Sequence, residues 1–108
     1  MLTVERFNSK DLFGYEQKTT FFEDFSIAEK FGLSAVKDTY KTAFNSWKTN
    51  YIYLTELVMV LNWKLWIWYE RNNKELAMLY NDLWEKARDY AYTHLKGDKL
   101  SYYLRTTD

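Results

Sequence analysis

Residues 51–70 read YIYLTELVMVLNWKLWIWYE, with no glycine, proline or turn dipeptide anywhere in the run. The segments YIYLT (51–55) and LWIWY (65–69) carry the β-branched and aromatic side chains that suit strands. Nothing between them can reverse the chain, so the two belong to one continuous element and the expected element is a helix. At 100° per residue, Leu54, Leu57, Val58, Leu61, Leu65 and Trp68 fall in one stripe about 100° wide, the width a bundle core needs. Met59, Val60, Trp63, Trp66 and Ile67 fall on a second apolar face, bordered by Glu56, Lys64, Glu70 and Arg71. From Leu57 to Tyr69 the run is broken by Asn62 and Lys64 and is shorter than the roughly 20 residues of a membrane span. The expectation is a buried helix from about Tyr51 to Arg71, with no membrane partner.

Working outward, helix-period segments flank this element on both sides. Thr20 with Glu23 has the spacing of a capping box, opening a helix to about Phe31 with Phe21, Phe25 and Ala28 on one side. Ser34 is placed to cap a second helix, on which Val36, Tyr40, Ala43, Phe44 and Trp47 recur until Thr49 and Asn50. Asn72 with Glu75 marks a further start. The helix after it carries Leu76, Tyr80, Leu83, Ala87, Tyr90, Ala91 and His94 on one face, with Asp82 and Lys86 at i,i+4 spacing on the other. Gly97 is the expected stop, followed by a last turn capped by Asp98 through Leu100, Tyr103 and Leu104. A loop with a short helix after Ser9 is expected before Thr19. The chain has no proline, and Gly14, Gly32 and Gly97 each fall at a boundary, where a residue tolerant of positive φ ends a helix. The fold class is thus all-α: a single domain over residues 1–108, built as a bundle of about four helices with the long third helix most buried and the fourth antiparallel to it.

Composition narrows the function classes. Apolar residues make up 47% and aromatics 20%, far too rich for a disordered chain. Without cysteine there is no disulfide, thiolate zinc site or cysteine nucleophile, and a reducing compartment fits. The opening MLTVERFNSKD mixes charges in from Glu5 and contains no apolar signal core, so the cytoplasm is the expected location. Fifteen basic and fifteen acidic groups cancel, and no net field draws the protein to nucleic acid or an anionic membrane. His94 lacks a carboxylate at i−3 or i−4, no phosphate-cradling glycine motif occurs, and Glu56 is the one carboxylate beside an apolar run. The expectation is a non-enzymatic protein with no cofactor or metal.

IAEKFGLS (27–34) resembles the turn of a DNA-binding helix-turn-helix, with Ala28 where the helices touch, Gly32 in the bend and Ser34 starting the next helix. It departs where that motif seats its recognition helix, because Asp38 and Lys41 stand at apolar positions. What remains is a basic stripe of Lys37, Lys41 and Lys48 flanking Phe44. Over a longer span, TTFFEDFSIAEKFGLSAVKDTYKTAFNSWK, NYIYLTELVMVLNWK and the closing RTTD are similar to a group of small uncharacterised proteins of gut anaerobic bacteria and their phages or conjugative elements. That resemblance implies a cytoplasmic, mobile-element setting in which small accessory proteins act by binding, and it carries over no functional residue. Two function classes follow. One is a helical interaction protein, a homo-oligomer or a binder of another protein, acting through Met59, Val60, Trp63, Trp66 and Ile67. The other is a small nucleic-acid-binding regulator acting through Lys37, Lys41 and Lys48.

Overall fold

The five helices described below all contribute to a single hydrophobic core in the computed structural model, which describes residues 20–107. They are α1 (Thr20–Glu29), α2 (Leu33–Trp47), α3 (Tyr51–Glu70), α4 (Lys74–His94) and α5 (Gly97–Thr107), and the described residues contain no strand. The most extensive contact is between α3 and α4, whose connection of three residues, 71–73, makes them an antiparallel hairpin. Both α1 and α2 lie against that hairpin, and α5 closes it from the other end of the chain.

The reading of residues 51–70 as one helix holds. Leu54, Leu57, Val58 and Leu61 are buried, while Leu65 and Trp68 pack against the core half-buried. Phe21, Phe25 and Ala28 of α1 and Val36, Tyr40 and Ala43 of α2 are buried as expected. The face of α4 is also as expected through Leu76, Tyr80, Leu83, Ala87 and Ala91, but Tyr90 is half-buried and His94 is exposed. Asp82 and Lys86 are exposed and form no ion pair among the described residues, since a solvated i,i+4 pair gains little over hydration.

The ends of the helices differ from the sequence reading in ways that backbone chemistry explains. The first helix stops at Glu29 rather than near Phe31, because the N–H groups of Lys30 and Phe31 bond to carbonyls three residues back and tighten the last turn. Gly32 is the N-cap of α2, and Ser34 lies inside the helix with no capping bond. At φ 118° Gly32 occupies a conformation that side-chain-bearing residues rarely adopt, although a Cβ there would meet nothing within 4 Å. The backbone, not the space, requires glycine. Asn50 starts α3 instead of ending α2, accepting from the N–H groups of Ile52 and Tyr53. One turn further on, Asn73 caps α4 through the N–H of Leu76, and Asn72 instead takes the left-handed conformation at φ 62°. Gly97 does not stop α4, which ends as Leu95 turns extended; Gly97 begins α5, a full helix of 11 residues rather than one turn. Thr20 is the first described residue of α1, and its capping contacts, Gly14 and the short helix expected after Ser9 lie outside the described residues.

Three buried tyrosines tie this core to pH. Burial pushes the hydroxyls of Tyr40 and Tyr103 up to about 12, and burial together with the neighbouring Glu29 pushes Tyr80 higher still. A tyrosine whose pKa is raised on folding contributes stability that is complete below its unfolded value near 10 and is lost as pH rises through the folded value. The tyrosines' contribution to the denaturant midpoint should therefore hold up to about pH 10 and be lost steeply between about 10 and 12. Ultraviolet tyrosinate absorbance should show these three groups titrating together with unfolding.

Candidate functional site

A polar cluster sits where α1 meets the α3–α4 hairpin, built on the single cation inside the apolar run. Lys64 is 3% exposed, so its ammonium group needs partners from outside its own helix. Glu29, one turn back from the end of the exposed corner and in the last position of α1, supplies the countercharge: its Oε2 lies 3.1 Å from Lys64 Nζ. The same oxygen accepts from Trp68 Nε1–H at 3.0 Å and from the Tyr80 hydroxyl at 2.5 Å. Lys64 also donates to Ser26 Oγ at 2.6 Å, and Ser26 in turn donates to the Phe22 carbonyl at 3.0 Å. The Phe22 ring lies 4.2 Å from Nζ, a cation–π contact that shields the third side of the ammonium. Burial drives the Lys64 pKa down, the charge and hydrogen bond of Glu29 push it back up, and Arg71 adds a smaller downward push.

Every buried side-chain nitrogen or oxygen among the described residues has a partner, so the cluster presents no open valence to a ligand. Its chemistry is structural: one carboxylate collects donors from two helices and fastens a third. The sequence reading placed Lys64 at the border of a face and Trp68 in the core, and did not single out Glu29 or Ser26. One signal was available, because a lone lysine inside a helix that is apolar all round must meet a carboxylate from another element.

The expected interface residues separate. Met59 and Val60 are buried, at 9% and 1% exposure, and so cannot form an outer surface. Trp63 is half-buried, with the Phe22 ring set edge-on at 6.1 Å between centroids. Ile67 is half-buried. Trp66 is 54% exposed, and beside it stands a residue outside the expected set, Tyr69, at 63%, with the two rings edge-to-face at 5.6 Å. The second face of α3 is therefore covered over most of its length and open at its last turns.

Of the three lysines, Lys37 and Lys41 are exposed and Lys48 is half-buried, its Nζ 5.6 Å from the Phe44 ring centroid. Phe44 itself is spent on the core, stacked on Tyr40 and edge-on to Tyr90. His94 stacks on Tyr90 at 3.8 Å with Nδ1 near the Tyr90 carbonyl, and Glu56 is half-buried. Among the described residues no group of three or more His, Asp or Glu side chains could hold a metal, and no helix is long and apolar enough to cross a membrane. No protein-family model, curated protein or solved structure matches the chain.

Replacing Glu29 with Gln should leave a buried ammonium without its countercharge and cost about 3–5 kcal/mol in denaturant unfolding. Adding Lys64→Met to that variant should restore most of the loss, since an apolar side chain needs no partner there. In Glu29→Gln alone Lys64 binds its proton more weakly than the unfolded lysine, so the unfolded state holds more protons. The variant should then gain stability as pH rises from neutrality to about 9, and gain more than wild type does.

Proposed function

We propose that this protein is a non-enzymatic interaction module that self-associates through the open end of the second face of α3. The observation that carries the reading is the pair Trp66 and Tyr69, 54% and 63% exposed on a helix whose next most exposed aromatic residue, Tyr53, is at 39%. Tryptophan and tyrosine bring large rigid contact area at a small entropy cost and are enriched among the residues that dominate interfaces. Glu70 and Arg71 follow them in the chain, both exposed, and supply a polar rim of both signs. A mixed rim suits a surface that meets its own copy, because a two-fold axis brings each sign opposite the other. Stable dimers bury about 800 Å² per partner. Two side chains fall short of that alone, so the half-buried Trp63 and Ile67 belong to the same contact and the association is concentration-dependent. The second reading, a small nucleic-acid-binding regulator, rests on the exposed Lys37 and Lys41. It is the weaker one, because Lys48 and Phe44, the rest of the stripe, are drawn into packing.

Light scattering across a dilution series should show wild-type mass rising toward a dimer. Trp66→Glu should remain a folded monomer throughout, with an unchanged helical circular dichroism spectrum. A wild type that stays monomeric at every concentration overturns self-association.

A further inference from the structure

A groove of about 540 Å³ runs between α1 and α2, on the far side of α1 from the Lys64 cluster. Its floor is apolar, formed by Phe21, Ala28 and Ala43, all buried. Ile27 and Phe31 rise along the α1 side at 56% and 78% exposure. Asp24 lines the groove from α1 and Asp38 from α2. Neither carboxylate has an ion-pair or hydrogen-bond partner among the described residues. None of the lining residues is basic, and Lys37, Lys41 and Lys48 do not line it.

We propose that this groove is the docking site for a basic amphipathic helix of another protein, whose apolar face packs on Ile27 and Phe31 and whose lysine or arginine side chains meet Asp24 and Asp38. An apolar floor between two helical walls accepts a third helix in the way helices pack on one another, with anchors at i, i+3 or i+4, and i+7. A small organic cation fits the charge but not the shape, since small-ligand sites enclose most of the ligand and Phe31 stands open. Two carboxylates without an ion-pair partner among the described residues, in a lining with no basic residue, select a positively charged partner and repel an acidic one. The site is separate from the Trp66 edge and stands whether or not the protein self-associates.

The test uses the full chain and a fluorescent synthetic peptide of about 14 residues, a length of roughly 21 Å as a helix, with leucines at i, i+3, i+4 and i+7 flanked by arginines. A twin peptide carries glutamates in place of the arginines. Anisotropy titration should show wild type preferring the arginine peptide by about tenfold or more. Asp24→Lys with Asp38→Lys should reverse that preference, and Phe31→Ser should weaken the arginine peptide by about tenfold or more. These three positions are exposed, so the variants keep the wild-type circular dichroism spectrum. Trp66→Glu should bind the arginine peptide as wild type does. The proposal is overturned if neither peptide binds, if the two bind wild type equally, or if Phe31→Ser binds unchanged. It is overturned too if Phe31→Ser lowers the protein's own mass in light scattering, which would give the groove to a second copy.

Discussion

One carboxylate oxygen, Glu29 Oε2, takes three donors: the Lys64 ammonium, the Trp68 indole and the Tyr80 hydroxyl. Two helices contribute those donors and a third contributes the acceptor, so the oxygen is the point at which α1 is fixed to the α3–α4 hairpin. A helix of 10 residues is marginal alone in water, and its place here depends on what it meets. Phe21, Phe25 and Ala28 supply the apolar contact, with Phe25 edge-on to Tyr80 at 5.7 Å. Apolar contact sets how strongly α1 adheres, whereas the hydrogen-bonded charge pair sets where. Once Glu29 is placed, Gly32 turns the chain and α2 follows, and the groove between the two helices has its shape.

The same pair settles a question that α3 leaves open. A helix that is apolar nearly all round has several faces that could be buried at similar gain, so hydrophobicity alone does not choose its rotation. Lys64 does choose. Rotating α3 by one residue moves that side chain about 100° and separates the ammonium from Glu29, Ser26 and the Phe22 ring together. Both charges would then be buried unpaired, and the cost of that far exceeds any difference between one apolar face and another. The rotation so fixed is the one that leaves Trp66 and Tyr69 in solvent.

Much of this was legible in the sequence where a single physical signal dominates. The uninterrupted run 51–70 dictates one helix, and the 3.6-residue period of Val36, Tyr40 and Ala43 or of Leu76, Tyr80, Leu83, Ala87 and Ala91 marks the buried faces. The caps were less legible, because Asn72 and Asn73 are chemically the same and only the backbone reveals which one caps and which one turns at φ 62°. Gly97 was ambiguous for a related reason: positive φ suits the residue after one helix and the residue before the next alike. The Lys64 cluster was hidden by distance along the chain, since Glu29 and Tyr80 stand 35 residues before and 16 after, at separations that no local pattern links. The open groove could not be read at all, because Phe31 looks like a core residue until the helix stops short of it.

Aromatic density proved a poor guide to free surface on α3, and the geometry of one flank explains why. Met59 and Trp66 are seven residues apart, about two turns, and differ by only about 20° around the axis, so they share one flank of the helix. Met59 is 9% exposed and Trp66 54%. The cover of that flank therefore ends within roughly 10 Å along the helix. At the near end, α5 packs against α3, with Tyr102 edge-on to Tyr51 at 5.2 Å. On the flank of Met59 and Trp66 itself, the contact comes from α1, whose Phe22 ring sits edge-on to Trp63, and α1 at about 15 Å is half the roughly 30 Å of α3. Free aromatic surface is thus a matter of relative helix length: it lies not where tryptophans cluster most, but where the shorter elements end.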